Sequence, residues 1–572
     1  AITAPALGQS TSTVNQTGNS NDAGITQTGE NTSTATQTGN FNEIDVLQAD
    51  GKNTSTVTQT AGLAKADINQ SGEGNTSTVT QNNSEVPAAA AAATLFAKVT
   101  QSSEDNTSRI QQTGLGQSAT VDQSGDGDTS DIFQNFGSDN SAEVTQDGTD
   151  NNSTVTQNGI DGSADVTQTG ISETSFITQN GPAADATVVQ SGTDNQSTIM
   201  QTGGTGSNAT FAMGPNMGRT VVAEVTQEGK DGISNVTQNG GRQFASVKQD
   251  DDASGQQSRI VQGGSRQTAT VTQTGTNTSG QENSLINQSG SRQTATVMQD
   301  GDNKSTVTQS GNLHRAVVNQ AEASTSTITQ SGSQNEAEVL QDGVGNISTI
   351  TQSGERGDVE GNDEFEDLGI EAFADAGVTQ LGDGNISTVT QSGELNNANV
   401  LQQGNNNTSN INSSGDYADA AVSQVGNDNF ANVIRQTANG NDVPNQPNID
   451  ATAVILQNGS DNFATIAQDA VPNNATITQN GDENDATITQ TAANATATVT
   501  QTQVESGNGI RIRGADGRDN TAPNQSIRSN FSNIVQSAVN TRAEVTQKGD
   551  LNGSEVLQSG TGGAADEVSQ PG

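Results

Sequence analysis

The stretch Asn75-Thr-Ser-Thr-Val-Thr-Gln81 decides how this chain is read, because most of the 572 residues are imperfect copies of it. The same heptad stands at Asn53–Gln59 and, with Ala35 in place of Val, at Asn31–Gln37. It returns with small changes at Asn151–Gln157, Asn346–Gln352 and Asn385–Gln391. A second version lies between these copies, as in Asn140-Ser-Ala-Glu-Val-Thr-Gln146 and Gly162-Ser-Ala-Asp-Val-Thr-Gln168. The closing glutamines fall at Gln48, Gln59, Gln70 and Gln81, and again from Gln157 to Gln201, in steps of eleven. Because the two versions alternate, the full repeat is twenty-two residues. A fixed period of that size governs the fold before any other signal does.

The heptad alternates strictly, which is the pattern of a strand with one buried face. Asn75, Ser77, Val79 and Gln81 share one side, and Thr76, Thr78 and Thr80 share the other. β-Branched Val and Thr suit a pleated surface. After each Gln comes a small polar residue and usually Gly, as in Gln37-Thr-Gly39 and Gln309-Ser-Gly311, where Gly is free to take a positive φ. Each eleven residues therefore make one strand and one tight arc. Two such units close a coil that buries nothing until it stacks on its neighbours at ~4.8 Å.

Stacking lines up like side chains as inward ladders, and Asn and Gln ladders can satisfy their own amides along the stack. The residues expected to carry self-assembly are the ladder members. On the first version they are Asn31 and Gln37, Asn53 and Gln59, and Asn75, Ser77, Val79 and Gln81. Farther along the same version they are Asn151 and Gln157, Asn346 and Gln352, and Asn385 and Gln391. Asn140, Ala142, Val144 and Gln146 represent the second version, and Gln558 and Gln570 stand near the far end. Val at two places before Gln supplies a dry seam, and a one-residue slip would turn it outward.

Roughly forty-three strand-closing positions predict an all-β, two-sheet solenoid of about 22 turns. Residues 1–9 read as a short tail and 10–572 as one solenoid, with arc insertions at about 82–93, 202–220, 353–376, 437–450 and 502–529. Pro87, Pro215, Pro444 and Pro447 lie in these breaks, where a residue without an amide hydrogen must leave the sheet.

Hydrophobic residues make up 28% of the chain and aromatics 2%, too little for a conventional core of this size. The periodicity replaces that core. The formal charge of −44, from 65 acidic and 21 basic residues, argues against nucleic acid and against docking on anionic membranes. There is no Cys, so neither disulfides nor thiolate metal sites arise, and no apolar run reaches membrane-spanning length. The chain starts at Ala1 without Met, which reads as a secreted protein whose signal peptide has been removed.

No enzyme is expected. His314 is the only His, so a triad or a His-based zinc site has no partner. Asp126, Asp128 and Asp131 offer oxygen ligands but lack a calcium-loop pattern, and are read as solvated arc carboxylates. Arg356-Gly-Asp358 resembles an adhesion tripeptide, of a kind that arises readily in an Asp- and Gly-rich chain. Sequons such as Asn31-Thr-Ser33 place their Asn on the inward side, against glycosylation. No cofactor or metal is predicted.

These repeats resemble the curlin repeat, the unit of bacterial curli fibres. Gln134-x-x-Gly137-x-x-Asn140-x-Ala142-x3-Gln146 reproduces half of that pattern with one added arc residue, and Ser10-x5-Gln16 keeps its Ser. The departures are the number of turns, the Thr-rich outer side, a single Tyr and the long insertions. The resemblance implies a secreted functional-amyloid subunit of a biofilm matrix, in a cell-surface fibre. Its main partner would be itself, head to tail, with a dedicated secretion channel and a nucleator as further partners. Open strand edges are expected at both ends of the stack, and a contact that does not close on itself gives a filament. An alternative is a monomeric solenoid, either an ice-binding protein using Thr-x-Thr rows or an adhesin stalk.

Overall fold

The computed structural model describes residues 9–60, 62–82, 94–202, 221–278, 280, 283–354, 374–394, 396–416, 418–436, 451–469, 472–503, 530–537, 539–549, 552–559 and 565–570. Among them the chain is all β, with 41 strands from β1 (Thr11–Thr17) to β41 (Ala565–Gln570) and no helix. Pairing is parallel and skips one strand: β5 (Thr54–Gln59) pairs with β7 (Thr76–Asn82), and β6 (Ala64–Gln70) pairs with β8 (Leu95–Gln101). Two strands therefore make one coil, and the coils number about twenty, close to the expected 22. The fold is a parallel β-solenoid.

The chain divides into two compact units, Ala1–Arg292 and Gln293–Gly572. Within each, one sheet mostly carries Ser at the small inward position and the other mostly Ala, with Ala431, Ala464 and Ala486 interrupting the Ser column of the second unit. In the first unit the register sets Ser55 against Ser77, Val57 against Val79 and Gln59 against Gln81. On its other sheet, Ala142 faces Ala164, Val144 faces Val166 and Gln146 faces Gln168. The second unit repeats the scheme, with Ser326 on Ser348 and Ile328 on Ile350 in one sheet, and Ala316 on Ala337 in the other. Inward Val and Ile, such as Val79, Val155, Ile350 and Val389, are buried. In β19 (Ile233–Gln249) and β20 (Gln257–Thr274) a single strand runs through both sheets and the arc between them.

Gly39 (φ 119°) and Gly311 (φ 114°) take the expected positive φ, and other arcs use glycine for a second reason. At Gly148, Gly170 and Gly192 the φ angle is not in the left-handed region. A Cβ on Gly148 would lie 2.0 Å from the carbonyl oxygen of Gly170, and one on Gly192 would lie 1.6 Å from that of Gly229. Close approach of the next coil, not a positive φ, excludes a side chain there. The left-handed turn falls instead two residues later, on Asp150 (φ 57°) and Asp194 (φ 57°), a conformation that Asp tolerates better than most residues.

The five expected insertions lie outside the described residues except at their edges. The strands on either side of each stay in column. Gln70 Nε2 donates to Gln101 Oε1 at 2.7 Å, and Gln190 to Gln227 at 2.8 Å. In the second unit, Gln341 donates to Gln380 at 2.7 Å, Gln424 to Gln457 at 2.9 Å and Gln490 to Gln536 at 2.8 Å.

Candidate assembly ladders

Each sheet carries a column of buried glutamines. In the first unit, Gln37 Nε2 donates to Gln59 Oε1 at 3.1 Å, Gln59 to Gln81 at 2.9 Å and Gln81 to Gln112 at 2.8 Å. On the partner sheet Gln146 donates to Gln168 at 2.8 Å. These amides also span the core, as when Gln81 Nε2 donates to the Lys65 carbonyl at 3.0 Å and Gln157 Nε2 to that of Ser141 at 2.8 Å. One primary amide thus ties a coil to its successor and its sheet to the opposite sheet. The polarity is uniform: the earlier coil donates and the later coil accepts.

The second unit runs the same way, with Gln352 donating to Gln391 at 2.9 Å. Gln536 donates to Gln558 at 2.8 Å, and Gln547 to Gln570 at 3.5 Å. The column is broken at Ser413. Ser413 stands where Gln would be, and the buried Nε2 of Gln391 has no hydrogen-bond partner. The next pairing also slips, from Asn412 opposite Ile434 to Ser413 opposite Gln436.

The asparagines behave differently from the expectation that their amides would pair with one another. In the first unit they brace backbone. Asn31 Oδ1 accepts the Asn53 amide hydrogen (2.9 Å), and Asn53 Oδ1 accepts that of Asn75 (3.0 Å). Asn53 Nδ2 donates to the carbonyls of Ala49 and Gly72 at 2.7 and 2.9 Å, which holds two successive arcs. Asn140 and Asn151 do the same through the carbonyls of Gly159 and Gly170. Among the described residues, a run of buried Asn-to-Asn side-chain bonds forms in the second unit. There Asn407 Nδ2 donates to Asn385 Oδ1 at 3.1 Å, Asn429 to Asn407 at 3.0 Å and Asn462 to Asn429 at 3.0 Å. It points opposite to the Gln columns, with the later coil donating. Asn385 also accepts no help from Asn346 beyond the backbone, since Asn346 Oδ1 takes the Asn385 amide hydrogen while its Nδ2 lacks a partner.

Val79, Val144, Ala142 and Ser77 are buried in the seam. Ser55 Oγ bonds Ser33 Oγ at 2.9 Å, but the hydroxyls of Ser77, Ser130, Ser153 and Ser175 are buried without partners. Three ionisable residues also sit in the asparagine place. Asp128 and Glu173 are fully buried, two coils apart in one column. Asp128 Oδ1 accepts the Asn151 amide hydrogen at 2.9 Å, and its Oδ2 has no partner. Glu173 accepts from the backbone and side chain of Asn195 at 3.1 and 3.2 Å. Burial raises both carboxyls, Glu173 to about 7. His314 is buried as well, with Nε2 at 2.9 Å from the Ser310 carbonyl and Nδ1 accepting the Asn335 amide hydrogen, and burial lowers its pKa. Counting six residues back from Gln134 and Gln179 finds Asp128 and Glu173 in the sequence, so the signal was present. Asp566 breaks the Ala column in β41, opposite Ala543, and accepts from Gln558 Nε2 at 3.1 Å.

The three aspartates considered for calcium point three ways. Asp126 lies on an arc bonded to Ser103, Asp128 lies inside, and Asp131 lies on the outer side beside Arg109. Among the described residues no group of three or more His, Asp or Glu is placed to hold a metal ion. Asn31 of the sequon is buried, and Arg356–Asp358 lies outside the described residues. The outward Thr row through Thr32, Thr54 and Thr76 runs on to Thr107, but the full three-Thr pattern holds over only three successive strands before Arg109 and Gln111 replace Thr.

A parallel solenoid whose coils are joined by inward Gln and Asn columns defines the class of repeat-built, structural proteins. The curlin associated repeat matches residues 137–170, 322–354 and 473–502, so these three stretches are curlin-type repeats. No curated protein matches the chain as a relative.

Proposed function

We propose that this chain is a structural subunit of an extracellular, curli-like fibre of a biofilm matrix, which grows by end-to-end stacking of coils. Curlin-repeat proteins are extracellular fibre subunits, which supports the setting. The observation that carries the reading is the recurrence of one Gln-to-Gln contact from coil to coil. A Gln amide accepts from the coil before and donates to the coil after, so a coil from a second chain can complete what a coil of the same chain completes. Uniform polarity also makes the contact head-to-tail, because an inverted coil would set donor against donor. The chain itself is the main partner; a secretion channel and a nucleator are the further partners of this reading.

Electron microscopy and fibre diffraction on the purified chain, incubated without denaturant, test it. Long unbranched fibres with a meridional spacing of ~4.7 Å are expected. Short particles that never elongate would overturn it. Pro at Val144 and Val155, which share one coil, should slow elongation by removing ladder hydrogen bonds in both sheets. Unchanged growth kinetics of that variant would count equally against the reading.

A further inference from the structure

We propose that the outer side of the Ser sheet in the second unit is a lateral docking surface for the same surface of a second copy of this chain. It spans β24 (Thr325–Ser333), β26 (Ile347–Gly354), β28 (Ile386–Ser392), β30 (Thr408–Ser414), β32 (Phe430–Gln436) and β34 (Phe463–Gln468). Three described side chains point outward from each strand and none of them is acidic, while Arg435 of β32 stands at the register slip beside Gln436. The outward residues are Thr and Asn, with Ala467 and an apolar group of Ile347, Ile386, Phe430, Ile434 and Phe463. Ile347 is 43% exposed and Phe463 41%, so these side chains are not spent on the core. The Phe430 and Phe463 rings stack with centroids 4.9 Å apart and planes 6° apart, which makes a rigid ridge.

The carboxylates of this unit lie elsewhere. Lys304 on β22 (Lys304–Asn312) and Asp485 on β36 (Asp485–Gln490) bound the patch on either side. The opposite sheet turns Glu336, Glu338, Asp419 and Arg542 outward, and one row of arcs carries Asp342, Asp383, Asp428 and Asp461. Two chains of formal charge −44 repel over most of their surfaces, and burying their carboxylates would add a desolvation cost. A sheet without outward carboxylates lets them meet without either. Like-charged outward residues keep sheets from associating, and no acidic residue stands in these six successive strands.

Size supports the same occupant. Six strands at ~4.8 Å, each of about six residues at ~3.3 Å, give a flat area of about 29 by 20 Å. Two such faces bury on the order of 1,200 Å², which clears the ~1,000 Å² expected of a specific contact. A self-complementary flat face gives an isologous pair, which closes laterally and leaves coil stacking free. The pairing thus adds to the proposed fibre growth and does not depend on it.

The test places like charges on the face of the full chain. The Glu variant carries Thr349→Glu, Thr388→Glu and Asn410→Glu, the Lys variant carries Lys at the same places, and a control carries Asn399→Glu, Ala421→Glu and Thr476→Glu on the opposite sheet. Sedimentation of the unpolymerised chain, and mass per length of any fibres, give the number of chains side by side. Two are expected for the native chain and the control, one for the Glu variant and one for the Lys variant, with two restored by mixing these last. A single chain for the native protein, an unchanged count in the Glu variant, or no restoration on mixing would overturn the proposal. Loss of ice shaping in the Glu variant at an unchanged count would also overturn it, in favour of a crystal-binding face. Single-width fibres would sink the pairing alone, whereas pairs that never elongate would sink the fibre reading alone.

Discussion

Glu173 occupies a column made for neutral amides, and its protonation state follows from that. Burial lifts its carboxyl from 4.5 to about 7, while the unfolded chain has no such burial. The folded unit therefore holds a proton that the unfolded chain releases. The stabilisation is complete below about pH 4.5, declines as pH rises toward about 7, and is gone above it. At 1.36 kcal/mol per pKa unit the swing is about 3 kcal/mol. Glu173→Gln should match the native chain near pH 4.5 and exceed its stability by about 3 kcal/mol near pH 7.5 in urea unfolding. A pH-independent difference would show that the carboxyl keeps its ordinary titration. Ser153 makes a simpler case, because its buried hydroxyl has no partner. Ala431, Ala464 and Ala486 already hold the equivalent place in the second unit. Ser153→Ala is expected to stabilise by about 1 kcal/mol, since an unmet buried hydroxyl costs roughly 1–3 kcal/mol. Thermal unfolding at fixed pH would check it.

At the scale of the strand, the glutamine column separates what each coil contributes. Gln157→Ala removes the acceptor of Gln134 and the donor to Gln179, and should cost about 2–4 kcal/mol. Ser413→Gln is the reverse experiment: it offers Gln391 Nε2 a partner and should gain about 1 kcal/mol, seen as slower amide exchange in β28 and β30. Strand positions, sheet membership and inward faces could all be read from Asn75–Gln81, because an eleven-residue step leaves no choice of register. The uses of individual polar atoms could not. Asn53 holds backbone where Asn429 holds another Asn, although the two look alike in sequence. Gly148 was legible as a glycine position, but the neighbouring carbonyl that forbids a Cβ belongs to the next coil. Glu173 was hidden for a different reason: arcs are rich in acids, and only its place in the count distinguishes it from a solvated one.

Across the whole chain, the columns ignore the interruptions. The Gln341–Gln380 bond spans 39 residues of sequence and yet matches the Gln320–Gln341 bond in length, both at 2.7 Å. Replacing residues 355–373 by a two-residue arc should therefore leave the far-UV spectrum of the sheets unchanged and move Tm upward by only a few degrees. Shortening a flexible connection is worth about 0.6 kcal/mol for each halving. A collapse of strand content would mean that the segment is needed to set the pairing of β25 (Asn335–Asp342) with β27 (Ala374–Leu381). A chain whose arcs take in long segments while its glutamine columns resume beyond them has separated novelty from folding. Mutation can lengthen, trade or discard what an arc displays, and the machinery that keeps the molecule upright never has to be reinvented alongside it.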